Sequence, residues 1–172
     1  MKKLLIVVDY QTDFVNGSLG FKKAVKLEKG IVNKIKLFIK NHDDIFFTMD
    51  THDDAYLNTI EGKKLPIKHA IVNSAGWQLH GEVRKYAKYG TIITKSSFGA
   101  SKLMTLLTTS KYKQIELVGL VSHMCVLANA VISQTASPNT PIVVYRHLTA
   151  SFNSKLHQQA LNVLKHLHIS IK

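Results

Sequence analysis

The stretch LLIVVD, residues 4–9, joins an unbroken apolar run to a single carboxylate, Asp9. A short apolar run of this kind, with no polar alternation, is typical of a strand that is buried on both faces of a sheet. Further segments along the chain have the same strand-like character. They predict five more strands, at residues 44–49, 91–94, 115–119, 141–145 and 169–171.

Segments with helical periodicity separate these predicted strands. The clearest places Leu27, Ile31, Ile35 and Phe38 on one face and lysines on the other. Shorter helical patterns cover residues 78–85, 101–107, 124–134 and 155–167, and residues 51–76 are predicted to be irregular.

This alternation predicts an α/β fold, a three-layer sandwich in which helices cover both faces of a parallel sheet. No repeat, linker or low-complexity tract divides the chain, so residues 1–172 are predicted to form a single domain. No apolar run approaches the roughly 20 residues that a membrane-spanning helix needs. Because the early run is also too short for a signal peptide, we expect a cytoplasmic protein without a membrane partner.

The chain is strongly basic, with 23 lysine and arginine residues against 11 aspartate and glutamate residues and a formal net charge of +12. Such an excess raises the question of a nucleic-acid partner. The lysines are scattered, however, and Arg84 and Arg146 are the only arginines. A solvated basic surface is the favoured interpretation, and nucleic-acid binding is the alternative.

Chemically active side chains follow the predicted strands. In a parallel sheet with helices on both faces, ligands bind beyond the carboxyl ends of the strands. Asp9, Asp50, His52 and Lys95 occupy such positions, and Cys125 comes shortly after the fourth strand. An acid, a cation, a thiol and two potential metal ligands are therefore expected at one edge of the sheet.

Cys125 is the chain's only cysteine, which excludes an internal disulfide and a cysteine-based zinc site. A lone cysteine is usually an inert apolar residue. Here Ser122 is a candidate helix N-cap, which would place Cys125 in the first helical turn. The helix dipole would lower the pKa of the thiol there, and free amides could bind an oxyanion. A nucleophilic role is therefore favoured.

Asp9 and Lys95 gain significance from this thiol. An isolated aspartate is more often a turn residue, and most lysines are surface charges. At the same edge as a thiol, Asp9 could act as a base. Lys95 would favour the thiolate and keep Asp9 ionised.

A metal site is predicted from Asp50, His52 and His69, with Glu61 as a further candidate. Asp50 and His52 are two residues apart in an extended segment, so their side chains point the same way, and His69 can return from the irregular stretch. Two imidazoles and one carboxylate leave coordination positions open for water or substrate. The residues fit a divalent metal ion, with zinc favoured over iron, manganese or magnesium. The alternative is that these histidines are structural.

The motifs that carry these residues resemble those of the isochorismatase-like cysteine hydrolases, and among them the nicotinamidases. Residues 9–19, DYQTDFVNGSL, are similar to the family pattern Asp-x-Gln-x-Asp-Phe-x-x-Gly-Ser-Leu. The other matching segments are Asp50-Thr51-His52, Pro66-Ile67-Lys68-His69, Lys95 with Phe98, and GLVSHMCV at residues 119–126. The chain departs from the nicotinamidases at Pro66, Ser101 and His123, which bears on the substrate more than on the chemistry.

The resemblance implies a sheet order of 3-2-1-4-5-6 and a catalytic triad of Asp9, Lys95 and Cys125. It also implies a cis peptide between Leu120 and Val121 and an oxyanion hole formed by the amides of Val121 and Cys125. In this pattern Asp50, His52 and His69 hold the metal, with Glu61 nearby. Phe14 and Phe98 are the candidate substrate-binding residues.

The function implied is hydrolysis of nicotinamide to nicotinate and ammonia through a cysteine thioester, as part of NAD salvage. The partner is then a small-molecule amide, and a homo-oligomer is compatible with the sequence. One alternative is another cysteine amidase of the superfamily that acts on a different small amide. The non-enzymatic alternatives are an inactive binding scaffold and a basic nucleic-acid binder.

Overall fold

The apolar run near the start of the chain becomes a central strand of one six-stranded sheet. A computed structural model, which describes all 172 residues, pairs all neighbouring strands in parallel. The strands are β1 (Leu4–Val8), β2 (Asp44–Asp50), β3 (Thr91–Lys95), β4 (Ile115–Leu120), β5 (Ile142–Ala150) and β6 (Ser170–Ile171). Their spatial order, β3-β2-β1-β4-β5-β6, confirms the order that the resemblance implies.

Strand β1 lies between β2 and β4, and every one of its residues is buried. Because side chains alternate between the two sides of a strand, Leu5 and Val7 pack into one core. Leu4, Ile6 and Val8 pack into the other. A strand that contributes to both cores has no solvent-facing side, which explains why its sequence shows no polar alternation.

Helices cover both faces of the sheet, which confirms the predicted three-layer sandwich. They are α1 (Thr12–Val15), α2 (Lys22–Val25), α3 (Glu28–Lys40), α4 (Ile60–Lys64), α5 (Gly81–Lys85), α6 (Ser101–Thr109), α7 (Leu127–Ala136) and α8 (Ser154–His166). One core receives Ile35 from α3 and Val83 from α5. The opposite core receives Leu103, Ala130 and Leu164 from α6, α7 and α8. The longest helices have 13 residues, and none has the length and apolar character that crossing a membrane requires.

The segment predicted to be irregular contains short helices. A 3₁₀ turn at Tyr56–Asn58 precedes α4, and the hydroxyl of Thr59 accepts a hydrogen bond from the Gly62 amide at 2.9 Å. This N-cap satisfies one of the free amides at the start of α4. The helix has too few residues for its periodicity to stand out in the sequence.

The carboxyl-terminal half also differs from the predicted elements. Strand β5, predicted at residues 141–145, continues to Ala150, because its pairing with β4 shifts register between Leu117 and Gly119. The helix predicted to start at residue 124 instead begins at Leu127, after a π-helical turn at Ser122–Val126. One irregularity thus lies in the pairing of β4 with β5, and the other directly follows β4.

Candidate active site

The carboxyl ends of four adjacent strands bring the predicted site residues together. Asp9 directly follows β1, Asp50 ends β2 and Lys95 ends β3. Asp50 and Lys95 are register partners across the β2–β3 pair. Cys125 lies in the π-helical turn that follows β4. Because parallel strands end at the same edge, residues far apart in the sequence become neighbours here.

The Lys95 ammonium group joins the predicted acid to the predicted thiol. Its Nζ lies 2.7 Å from Asp9 Oδ2 and 3.7 Å from Cys125 Sγ. The same Nζ donates hydrogen bonds to Asp50 Oδ1 at 3.1 Å and to the Ser97 carbonyl at 2.9 Å. Asp9, Lys95 and Cys125 are all buried. The structure therefore brings together the three residues for which the sequence predicts catalytic roles.

Asp9 is held in an unusual backbone conformation. Its φ of 44° lies in the left-handed region that non-glycine residues seldom adopt. The Thr48 hydroxyl donates a hydrogen bond to Asp9 Oδ1 at 2.6 Å, which leaves Oδ2 facing Lys95. Burial raises the pKa of the Asp9 carboxyl, while the charge of Lys95 opposes the rise. A carboxylate that binds a proton more readily than usual is suited to act as a base.

The thiol of Cys125 does not have the lowered pKa that its position in the sequence suggests. Burial raises its pKa well above the usual range, and the neighbouring Asp9 carboxylate adds to the rise, while Lys95 acts in the opposite direction. Burial also acts to lower the pKa of Lys95, but the carboxylates of Asp9 and Asp50 raise it, so the ammonium group stays charged. The raised pKa favours the protonated thiol, so a neighbouring base would assist its ionisation.

The turn that carries Cys125 depends on a close approach of two strands. Gly119 has a φ of 112°, and a Cβ added there would lie 2.1 Å from the Val8 carbonyl oxygen. The next peptide bond, Leu120–Val121, is cis, as the resemblance implies. The amide of Val121 donates no hydrogen bond within the protein. A free amide directly before the turn that carries Cys125 (Ser122–Val126, hereafter the Cys125 turn) is therefore available to an oxyanion.

Ser122 does not have the role expected of it. It makes no capping hydrogen bond, and its Oγ lies 2.9 Å from Nδ1 of His157 on α8. The expectation failed because the chain enters α7 through the π-helical turn, so Ser122 is not at the start of an ordinary helix.

Asn129 is a positioning residue that the sequence analysis missed. Its Nδ2 donates to the carbonyl of Cys125 at 2.8 Å and to that of Phe98 at 3.2 Å. Its Oδ1 accepts from the Ala100 amide at 2.8 Å. Asn129 thus ties the Cys125 turn to the segment after Lys95. Its place four residues after Cys125 was the only hint in the sequence, and its complete burial emerges only in the structure.

Gln11 supports the second strand end in a similar way. Its Nε2 donates to the carbonyls of Asp50, at 2.9 Å, and Trp77, at 2.8 Å. Its Oε1 accepts from the Asp50 amide at 2.7 Å. Asp13 Oδ2 accepts from the Ala70 amide at 2.8 Å and so holds the segment that carries His69. Gln11 and Asp13, two polar residues of the motif at residues 9–19, thus hold in place the segments that carry Asp50 and His69.

Asp50, His52, Glu61 and His69 form a compact cluster of possible metal ligands. One donor atom of each lies within 4.8 Å of the others. Asp50 Oδ2 is 3.0 Å from His52 Nε2 and 3.7 Å from His69 Nε2, which is in turn 3.9 Å from Glu61 Oε1. The structure thus brings together the residues predicted to hold a metal.

The cluster fits a divalent cation. The Ile67 carbonyl accepts a hydrogen bond from Nδ1 of His69 at 2.8 Å, which directs Nε2 at the carboxylates, as is usual for metal-binding histidines. Burial alone would lower the pKa of His69, but its hydrogen bond with Asp50 raises it. Burial would likewise raise the pKa of Asp50, yet the hydrogen bonds from His52 and His69 lower it. The carboxylates thus favour positive charge at this position.

A cavity of about 470 Å³ connects the two groups of residues. Asp9 and Cys125 line it together with Asp50, Glu61 and His69. Most of the remaining lining is apolar: Phe14, Leu19, Leu65, Phe98, Leu120, Val121, Met124 and Phe152. Phe14 and Phe98, the predicted substrate-binding residues, therefore both face it. The Phe14 and His69 rings pack edge to face, with centroids 5.5 Å apart.

The fold is shared with known proteins. A family model described as the isochorismatase domain matches residues 3–170. A Bacillus subtilis relative, described as an uncharacterized isochorismatase family protein PncA, is 32% identical over 174 residues, covering 94% of this chain and 93% of the relative. The crystal structure of nicotinamidase PncA from Bacillus subtilis has a TM-score of 0.85, 31% identity and 99% coverage of each chain. That of the Pyrococcus horikoshii pyrazinamidase in complex with zinc has a TM-score of 0.87 and 22% identity, covering 100% of this chain and 99% of that chain.

Proposed function

The chain belongs to the isochorismatase domain family, and from that premise we propose that it is an amidohydrolase that converts nicotinamide to nicotinate and ammonia. One observation carries the proposal. The Cys125 thiol, the Asp9 carboxylate and three of the four possible metal ligands line the same cavity, namely Asp50, Glu61 and His69. A carboxamide bound there would meet a nucleophile, a base and a cation site. The 31% identical Bacillus subtilis structure is that of a nicotinamidase, which supports the same substrate.

The first half of the reaction begins with proton transfer from the Cys125 thiol to Asp9. The sulfur then forms a bond to the carboxamide carbon, and the carbonyl oxygen becomes an oxyanion. The amides of Val121 and Cys125 donate hydrogen bonds to it. In other enzymes the loss of one such donor costs about 2.7–4 kcal/mol of transition-state stabilisation. The C–N bond breaks as Asp9 returns the proton to nitrogen, and ammonia leaves a thioester on Cys125.

The second half uses the same residues. Asp9 takes a proton from a water molecule, whose oxygen bonds to the thioester carbon. The C–S bond then breaks, Asp9 returns a proton to sulfur, and nicotinate is released. Lys95 stays charged throughout, 2.7 Å from Asp9 and 3.7 Å from the sulfur. It holds the base in place and stabilises the thiolate while it exists.

Asp50, His52 and His69 would hold a divalent metal, with Glu61 beside them. Zinc is the first choice, in keeping with the zinc complex of the Pyrococcus horikoshii relative, and iron, manganese and magnesium are the alternatives. When bound, such an ion supplies a Lewis acid that can bind the pyridine nitrogen of the substrate. Phe14 and Phe98 would pack against the ring, since both line the cavity.

The cellular setting follows from the nucleophile. We place the enzyme in the cytoplasm, where the free thiol of Cys125 would stay reduced. Nicotinate formation from nicotinamide would there serve NAD salvage.

The test is ammonia release from a panel of amides that includes nicotinamide, pyrazinamide and aliphatic carboxamides, with and without added zinc. We expect release from the pyridine and pyrazine amides. Preference for an aliphatic amide would indicate a different cysteine amidase, and release from no amide would indicate a binding scaffold. Mass spectrometry of the enzyme after rapid acid quenching should show the acyl adduct on Cys125.

A further inference from the structure

A second cavity, of about 280 Å³, lies among α2, β5 and α8 and shares no lining residue with the active-site cavity. Basic side chains dominate its lining, and no carboxylate lines it. The basic residues are Lys23, Lys26, Arg146, His147 and His157. Three separate parts of the chain thus bring positive groups to one concave surface, which scattered surface lysines would not do.

The positive charge of this basic pocket is not neutralised within the protein. None of its five basic residues takes part in an ion pair. Burial lowers the pKa of His157, and the charges of Lys23 and Arg146 lower it further. Mutually repelling groups in a concave site produce a positive potential that an anion would relieve.

The pocket also contains a hydroxyl group that lacks a partner. Thr149 is 3% exposed, and its Oγ1 makes no hydrogen bond. Such groups are rare, because most buried polar side-chain atoms in proteins are paired. Thr149 lines the pocket, but its Oγ1 is itself closed to solvent, so a ligand would accept this hydrogen bond only after a local side-chain movement.

The irregularity in β5 builds this site. Leu117 pairs with Val144 and Gly119 pairs with Thr149, so residues 145–148 of β5 bulge out of the ladder. Arg146 and His147 lie in the bulge and are exposed. Bulges commonly redirect side chains toward functional surfaces.

We propose that the basic pocket binds a phosphate group, either inorganic phosphate or the terminal phosphate of a small metabolite. The planar guanidinium of Arg146 suits two phosphate oxygens, and the lysines supply point charges. The volume lies just below the range of about 300–1,000 Å³ that is usual for drug-sized ligands. It therefore suits a small anion or one end of a larger molecule. His157 lines the pocket and also contacts Ser122, in the Cys125 turn. A ligand in the pocket would therefore be connected to that turn through His157.

Calorimetric titration at constant ionic strength tests the site, with inorganic phosphate and adenosine 5′-monophosphate as probes and adenosine as the uncharged control. Arg146→Gln should weaken binding of either phosphate at least 10-fold. Arg84→Gln is the matched control, because it removes the same charge from an exposed residue of α5. It should leave binding unchanged. Tighter binding of the monophosphate would identify a metabolite as the ligand, and equal binding would identify inorganic phosphate.

Thr149→Val separates a built site from a diffuse positive surface. It removes the unpaired hydroxyl and keeps the shape of the side chain, so the thermal midpoint should stay the same or rise while phosphate binding weakens several-fold. Equal losses in Arg146→Gln and Arg84→Gln would overturn the proposal. So would binding of an oligonucleotide without binding of either small phosphate, which would indicate an extended nucleic-acid surface.

Discussion

Two of the ion pairs in this fold, Lys95–Asp9 and Lys34–Glu116, join a lysine to a buried carboxylate at contrasting places. Lys95 contacts Asp9 at the carboxyl edge of the sheet, beside a thiol and a cavity. Lys34 of α3 contacts Glu116 of β4 and lies 3.7 Å from the centroid of the Tyr145 ring. Neither Lys34 nor Glu116 lines the active-site cavity.

The pKa values of the two carboxyl groups are shifted in opposite directions. For Glu116, burial would raise the pKa, but the hydrogen bond and charge of Lys34 lower it. For Asp9, burial raises the pKa and Lys95 does not reverse the change. Asp9 also lies near the negative charge of Asp50, whereas Gln114 and Lys3 add further contacts to Glu116. A buried ion pair alone therefore does not mark an active site; a strained, incompletely neutralised pair beside a nucleophile does.

The largest effect should come from Cys125→Ala. This substitution removes the thiol beside Lys95, and no thiol lies beside the Lys34–Glu116 pair. Loss of a covalent nucleophile in other hydrolases lowers kcat by about 10⁶-fold, so ammonia release should fall below detection. The thermal midpoint should change little. Stopped assays on nicotinamide measure the rate, and circular dichroism checks the fold. Normal turnover would remove Cys125 from the mechanism.

Parallel Lys95→Met and Lys34→Met variants test the comparison directly. Lys95→Met should lower kcat by about 10²–10⁴-fold, the usual contribution of acid–base machinery, because Asp9 loses its positioning charge. Lys34→Met should leave kcat within a few-fold but destabilise the protein by up to about 3 kcal/mol. That figure is at the lower end for a broken buried pair, since Lys3 and Gln114 still contact Glu116.

Steady-state kinetics and urea unfolding of both variants provide the readout. If Lys34→Met impaired kcat as strongly as Lys95→Met, the two pairs would not differ in function, and the contrast drawn between them would be wrong.

Metal removal should have an intermediate effect on substrate binding, confined to the region around Lys95 at the carboxyl edge of the sheet. Chelation, or His52→Ala, should weaken nicotinamide binding by about 10–100-fold, the range seen when metal sites are disturbed. Bound nicotinamide should slow the labelling of Cys125 by a thiol reagent. Weaker binding would therefore appear as a higher nicotinamide concentration needed for the same protection. His166→Ala serves as the control, because this residue is exposed on α8. Unchanged binding after complete metal removal would separate the cluster from substrate recognition.

The smallest predicted effect is on the stability of the protein at acidic pH, and it comes from the Lys34–Glu116 pair. A carboxyl whose pKa is lower in the folded state stabilises the protein above its unfolded pKa, near 4.5, and this stabilisation is lost as the pH falls through the folded pKa. Glu116→Gln should therefore flatten the decline of stability below pH 4.5. Urea unfolding at a series of pH values, with wild type and variant side by side, measures the difference. Identical slopes would mean that Glu116 titrates alike in both states.

The parts of the molecule that depend on local patterns could be predicted from the sequence. Strand β1 was predictable because both of its faces are buried, so its sequence is an uninterrupted apolar run. Asp9, Asp50 and Lys95 were predictable at one edge of the sheet because the carboxyl ends of parallel strands lie on the same side. The sheet order required the resemblance, since periodicity does not specify which strands pair.

Features set by tertiary contacts escaped prediction. The π-helical turn displaced Ser122 from its expected cap, and only the contact with His157 explains where its hydroxyl points. The raised pKa of Cys125 follows from burial, which a helical position in the sequence does not reveal. Asn129 is an isolated polar residue in a helix, and its role emerges only when the segment after Lys95 packs against that helix.

The burial of the lone sulfur has a consequence for oxidative stress. Peroxide attacks the thiolate far faster than the thiol, and a sulfenic acid is normally rescued by a second cysteine. This chain has no second cysteine to resolve such damage. A raised pKa keeps more of the Cys125 thiol protonated and so slows its reaction with peroxide, and in the proposed mechanism the same protonation makes Asp9 necessary as a base.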